Sequence, residues 1–71
     1  MKKPLAENIC SMIDEILSQM QAISNYAIAN CERSELERIV PALALCVKEF
    51  DLEILEPIYR EYPDLKPAFL P

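Results

Sequence analysis

Apolar residues recur every three or four positions through the first half of the chain, from Leu5 to about residue 30. At 100° per residue they form one broad stripe, and the acidic residues Glu7 and Asp14 lie on the opposite side. Pro4 stands where a helix would begin, because the N–H that proline lacks has no partner there. The stripe consists of Leu5, Ile9, Met12, Ile13, Ile16, Met20, Ile23, Ala27 and Cys31. The pattern predicts a long amphipathic helix over about residues 5–30.

Three further apolar residues, Cys10, Leu17 and Ile28, lie on one flank of this helix, roughly 100° from the main stripe. A partner helix in a hairpin would cover the main stripe and leave this flank open. Either a third helix or another protein molecule then covers the flank, and both alternatives stay open.

A polar break at residues 30–34 separates the first helix from a second apolar run. Ser34 followed by Glu37 has the spacing of a capping box, in which each residue satisfies a free N–H at the helix start. Apolar residues between Leu36 and Phe50 then share one face, which predicts a helix over about residues 35–50. Pro41 falls on the polar side of this helix, where we expect it to curve the apolar face around the core.

A third apolar run lies between Leu52 and Tyr62. If the second helix continued without a break, the apolar face of this run would be rotated about 100° from the apolar face of residues 36–50. Two faces that do not line up predict two helices, the later one over about residues 52–62 with Asp51 as its N-cap. The alternative is a single kinked helix over residues 35–62.

Prolines at positions 63, 67 and 71 predict an extended tail over residues 63–71. The tail carries Leu65, Phe69 and Leu70, so it either packs back over the helix ends or serves as a short docking peptide, and we expect the first. The whole chain is predicted to be one all-α domain: a small helical hairpin of two long helices, a short third helix and a proline-rich C-terminal tail. The predicted core is Ile9, Met12, Ile13, Ile16, Met20, Ile23, Leu36, Ile39, Val40, Leu43, Val47, Phe50, Leu55 and Ile58.

The 71 residues include no glycine and no histidine, although 52% of them are apolar. Glycine normally forms phosphate-binding loops and nucleophile elbows, and histidine is the commonest general base and metal ligand. Threonine is absent as well, so nucleophile–base pairs lack most of their usual members. We expect no enzyme activity, no cofactor and no metal site. The best remaining position for a cation is the acidic set Asp51, Glu53 and Glu56.

Charge and cysteine content narrow the class of partner. Twelve acidic residues against seven lysines and arginines give a net charge of −5, which argues against nucleic acid. The first helix has no cation between Lys3 and Arg33, so anionic lipid would repel it, and no segment approaches the ~20 apolar residues of a membrane span. Three widely spaced cysteines are expected to be free thiols in a reducing cytoplasm.

A chain this short carries more apolar surface than a small core can bury. We interpret it as a non-catalytic protein–protein interaction module, which forms a homo-oligomer or docks on a larger protein as an accessory subunit, small chaperone or adaptor. The alternative is an acidic inhibitor or antitoxin-like regulator that binds a basic surface of a partner protein. The predicted interface residues are Cys10, Leu17, Ile28, Leu45, Tyr59, Arg60 and Tyr62.

Overall fold

A computed structural model describes residues 1–67 and confirms the all-α hairpin. Helix α1 spans Lys3–Asn30 and helix α2 spans Arg33–Phe50, antiparallel to it. A π-helical segment, Asp51–Leu55, leads directly into the short helix α3, Glu56–Glu61, and a 3₁₀ turn follows at Pro63–Leu65. Both long helices begin two residues earlier than the periodicity predicts.

The connection between the long helices consists of two residues, Cys31 and Glu32, both in extended conformations. At the end of α1 the backbone N–H of Cys31 donates to the carbonyl of Ala27 at 2.8 Å, and the Asn30 side-chain amide donates to the carbonyl of Tyr26 at 2.9 Å. No residue within the described part of the chain has a positive φ angle. A turn of this kind requires no glycine, and the chain contains none.

The start of α2 differs from the predicted capping box at Ser34 and Glu37. The N-cap is Glu32, and its backbone N–H donates to the Glu35 carboxylate at 2.9 Å. Ser34 therefore lies inside the first turn. Glu37 instead pairs with Arg33, with 3.4 Å between Nε and Oε1. A glutamate at the N-cap is uncommon, so the rule that favours serine selected the wrong position.

The helical backbone does not break at Asp51, as the prediction of two separate helices required. Phe50, Asp51, Leu55 and Glu56 all have right-handed helical angles, so Asp51 is not an N-cap. The N–H of Glu56 donates to the carbonyl of Asp51, five residues back, which is the pattern of a π turn. Arg33–Glu61 is therefore one interrupted helix, close to the alternative of a single kinked helix.

The π segment explains the rotated apolar face. A π turn holds one extra residue, and each residue of a helix accounts for about 100° of rotation. The extra residue brings Leu55 and Ile58, both buried, back onto the face that Leu43 and Phe50 begin. The offset of 100° between the two runs is thus an insertion within a helix and not a boundary between helices.

Proline accounts for the position of the π segment. Pro57 lies in the first turn of α3, and in a regular helix its ring would clash with the carbonyl of Glu53, four residues back. A wider turn relieves this clash, which is a physical reason for the π segment to lie directly before Pro57. Pro41, by contrast, is accommodated within α2 without ending it.

Residues 63–67 pack back over the open end of the hairpin, as expected. They are not fully extended, because Pro63–Leu65 forms a 3₁₀ turn. Pro67 is half-buried and lines a groove with Leu17 and Tyr59. Phe69 and Leu70, which the prediction assigns to the same tail, lie outside the described residues.

Candidate interaction surface

Helix α1 packs against the rest of the hairpin through one face, which we call the contact face. Its buried residues are Ala6, Ile13 and Ala27, with exposed fractions of 0%, 5% and 4%, and the larger side chains Ile9, Leu17 and Met20 on the same face are half-buried. In the second arm of the hairpin the buried side chains are Leu55 and Ile58, and α2 itself has none. Two of the three buried residues of α1 are alanines, so the fully buried part of the contact face contains little apolar volume.

A shallow groove runs along one side of the hairpin between α1 and α2. Leu17 and Gln21 of α1 border it, and Ala44 and Val47 of α2 border it from the other helix. We call this side the groove side. Its middle is half-covered, because Leu17 is only partly accessible.

The opposite side of α1 carries a row of large apolar side chains that no other part of residues 1–67 covers. Leu5, Met12, Ile16 and Ile23 have exposed fractions of 54%, 61%, 43% and 51%. They lie within about 40° of one another on the helix surface and about 120° from Leu17. We call these four residues the α1 seam. They face the side of the hairpin opposite the groove, which we call the open side.

Helix α2 contributes an apolar cleft to the same open side. Cys46 and Val47 are successive residues, and Val47 faces the groove, so Cys46 lies on the other flank of α2. The cleft is lined by Leu45, Cys46, Phe50 and Ile54, with Glu49 and Glu53 at its edge. We call this set the α2 cleft. The open side therefore combines apolar side chains from both long helices.

The predicted interface residues fall in four separate places. Leu17 and Tyr59 line the groove side together, with Cys10 close to Tyr59, and Leu45 lies in the α2 cleft. Ile28 is 61% exposed near the turn. Arg60 is exposed on α3, and Tyr62 is half-buried at the open end of the hairpin.

The prediction of the covered side of α1 is correct for one edge of the main stripe and wrong for the other. Ile13 and Ala27 of the stripe are buried and Ile9 and Met20 are half-buried, but α2 lies toward the flank that was expected to be open, so Cys10 and Leu17 are half-buried as well. Five residues of the predicted core are exposed instead: Met12, Ile16, Ile23, Val40 and Val47. A stripe of about 100° or more is wider than one partner helix covers, and periodicity does not tell which edge is covered.

Burial changes the chemistry of two groups on the groove side. Burial, with a smaller contribution from the nearby Asp14 carboxylate, raises the pKa of the Cys10 thiol. Burial likewise raises the pKa of the Tyr59 hydroxyl, assisted by negative charge at Cys10, Asp14 and Asp51. Both groups are therefore neutral at physiological pH, and Cys10 is a weak nucleophile.

The open end of the hairpin is held by polar contacts between its first and last elements. The Lys3 ammonium pairs with the Asp64 carboxylate, and the Tyr62 hydroxyl donates to the carbonyl of Met1. The hydrogen bond with Asp64 raises the pKa of Lys3, and the same bond lowers the pKa of Asp64. We call the Lys3–Asp64 ion pair the clasp. Both of its side chains are exposed, and the two residues are 61 positions apart in the sequence.

Comparison of the chain with protein-family models, with curated proteins and with solved structures finds no match. Within residues 1–67, no helix has the length and apolar character that crossing a membrane requires. The same residues include no group of three or more cysteine, aspartate or glutamate side chains that could hold a metal ion. This includes the acidic set Asp51, Glu53 and Glu56.

Proposed function

We propose that this chain is a non-catalytic protein–protein interaction module that acts by burying the apolar open side of its hairpin. The α1 seam carries the proposal. Four large apolar side chains stand in one row, each about half exposed, whereas only Ala6, Ile13 and Ala27 of α1 are buried by the hairpin itself. Contiguous apolar patches on small proteins mark surfaces that another molecule covers.

The residue composition supports a binding role over catalysis. The chain has no histidine, threonine or glycine, and the raised pKa of Cys10 disfavours the thiolate that a nucleophile needs. We propose the cytoplasm as its compartment, because the cysteines Cys10, Cys31 and Cys46 are all free. Free thiols persist where the medium is reducing.

The test compares three tagged versions of the chain: wild type, Ile16→Glu in the α1 seam, and Ser18→Glu as a matched control. Ser18 is exposed on the same helix about 140° from the seam, so it adds the same charge away from the apolar row. Chemical cross-linking in the source cells is followed by mass spectrometry. We expect the wild type and Ser18→Glu to form the same cross-linked species, and Ile16→Glu to lose them.

Two results would overturn the proposal. One is that no version forms a cross-linked species, either with itself or with another protein. The other is that Ile16→Glu retains every species while circular dichroism shows its helices intact. In that case the open side is not a binding surface.

A second candidate function, an acidic regulator that binds a basic surface, is favoured by the α2 cleft. Glu49 and Glu53 border the apolar residues Leu45 and Ile54, an arrangement that suits a basic amphipathic partner. Binding through these carboxylates should weaken steeply between about 0.05 and 0.5 M salt, whereas burial of the α1 seam should change little. Repeating the cross-linking at both concentrations in cell lysate separates the two candidates.

A further inference from the structure

The hairpin exposes more surface than a compact protein of its mass. Its accessible surface is 5515 Å² for 8.1 kDa. Folded monomers of this mass expose roughly 4500 Å², so the excess is about 1000 Å². A stable dimer buries about 800 Å² on each partner. The surplus therefore matches the surface that one copy of a stable dimer needs to cover.

The spacing of the α1 seam is symmetric along the chain. Leu5, Met12, Ile16 and Ile23 are separated by seven, four and seven residues, so the row reads the same in both directions about position 14. An antiparallel copy of the helix, related by a two-fold axis at that level, pairs Met12 with Ile16 of the second copy. The same axis pairs Leu5 with Ile23 of the second copy. Self-complementary pairing of this kind is what a two-fold interface requires.

The α2 cleft lies at the same level along the hairpin as the middle of the α1 seam. Asp14 borders the groove together with Lys48 and Asp51, so the middle of the seam is level with residues 48–51 of the second long helix. The cleft extends from Leu45 to Ile54 and is centred in the same interval. A single two-fold axis at this level can therefore relate both the α1 seam and the α2 cleft to their counterparts in the second copy.

The α1 seam itself is free of charge, although acidic residues lie at the borders of the open side. Glu7 and Asp14 lie on roughly the opposite side of the helix from the seam, whereas Glu15 lies about 80° from its centre and Glu49 and Glu53 edge the α2 cleft. Two copies therefore meet over an apolar centre with carboxylates at its borders, where solvent and salt screen their repulsion.

From these observations we infer that the occupant of the open side is a second copy of this chain. The two hairpins stack with their α1 seams antiparallel, Met12 against Ile16 of the second copy, in a two-fold four-helix bundle. This inference rests on the proposed function, because it names the partner of the same surface. The spacings of three and four residues along α1 suit the side-chain packing of such bundles.

The test uses purified full-length protein and charge reversal across the two-fold axis. Met12→Lys and Ile16→Glu are made separately, and sedimentation equilibrium measures the mass of each variant, of wild type, and of an equimolar mixture of the two variants. We expect the wild type to be a dimer. Each single variant should dimerise at least ~100-fold more weakly, because two charges per dimer enter an apolar seam. Ser18→Glu should dimerise like the wild type.

The mixture is the decisive sample. A heterodimer of the two variants has one native pair and one pair in which the new lysine faces the new glutamate, so dimerisation should recover by at least ~10-fold. If a single variant fails to fold because the hairpin requires its partner, the mixture should regain both helicity and dimer mass. A mixture that stays monomeric or unfolded overturns the inference, because Met12 and Ile16 then do not face each other.

Failure of this inference is separable from failure of the proposed function. A wild-type chain that is monomeric at every concentration overturns the dimer. If its cross-linking in cells still depends on Ile16, the open side binds a different protein and the interaction module stands. If no cross-linking depends on Ile16, both proposals fail.

Discussion

The contact face and the α1 seam lie on the same helix, but the rest of the hairpin covers only the contact face. The buried residues of the contact face are two alanines and one isoleucine, Ile13, and its larger side chains Ile9, Leu17 and Met20 are half-buried. The seam, by contrast, consists of leucine, methionine and two isoleucines that remain about half exposed. Helix α1 therefore has two apolar surfaces, of which the hairpin covers one.

This difference has an energetic consequence. Fully burying an isoleucine, leucine or methionine stabilises a structure by about 1.5–3 kcal/mol, whereas alanine contributes much less because its side chain is a single methyl group. The hairpin alone therefore draws modest stabilisation from Ala6 and Ala27. Most of the apolar surface that α1 could still bury lies in the seam.

The largest expected effect comes from breaking the contact face. Ile13→Ala removes the one large side chain that is buried on α1 and should lower the free energy of unfolding by about 2–4 kcal/mol. Ile28→Ala, at a site that is 61% exposed, should lower it by no more than about 0.5 kcal/mol. Urea denaturation of both variants at one protein concentration measures the difference. Equal losses would mean that α2 does not pack on the face that contains Ile13.

The second prediction concerns the π segment, which we expect to keep Leu55 and Ile58 on the contact side of the hairpin. Deleting Glu53 together with Pro57→Ala removes the extra residue and the proline that disfavours a regular turn. Leu55 and Ile58 should then stay on the contact side, so the free energy of unfolding should change by less than about 1 kcal/mol. Circular dichroism and thermal unfolding measure the outcome.

Deleting Ala44 is the matched control for this register. It also removes one residue, but it turns the side chains between the deletion and the π segment by about 100°. Because the half-buried Phe50 would leave the contact side whether or not the π turn persists, the chain should lose more than about 2 kcal/mol of stability. If both deletions behave alike, the π segment does not set the register between α2 and α3.

The elements of this fold could be predicted from sequence better than the exposure of its faces. Residues spaced three and four apart predict a helix wherever the period continues, and α1 and α2 agree with this to within two residues at their starts. In the sequence, the π segment is visible as a shift of one residue between the apolar period of residues 36–50 and that of residues 52–62. This shift predicts a boundary between two helices, because two separate helices produce the same pattern.

The candidate surface could not be predicted because it depends on where α2 packs around α1. The stripe and the flank with Leu17 together span about 160° of the helix surface, and either edge could have received α2. Residue size does not distinguish them either, because Ala22 and Ala29 are exposed on the polar side of α1 while Ala6 and Ala27 are buried. The clasp had no sequence signal, because it joins residues 61 positions apart.

The smallest expected effect concerns the clasp, which links α1 to the 3₁₀ turn at the open end of the hairpin and includes no residue of the seam. Asp64→Asn removes the charge that Lys3 pairs with, so the thermal midpoint should fall slightly at neutral pH while dimerisation through the seam stays unchanged. Glu37→Gln is the control, because it breaks an exposed pair within α2 alone. If Asp64→Asn also weakens dimerisation, the Lys3–Asp64 pair contributes to the interface that the seam forms.

The pH dependence of this effect follows from the two pKa shifts. Because the pKa of Asp64 is lowered from 3.8, its contribution is complete above that value and disappears as the pH falls through the lowered pKa. Because the pKa of Lys3 is raised from 10.5, its contribution is complete below that value and disappears as the pH rises through the raised pKa. The difference in thermal midpoint between wild type and Asp64→Asn should therefore be constant between these limits and vanish outside them. A difference that persists at strongly acidic pH would mean that Asp64 stabilises the open end by packing and not by charge.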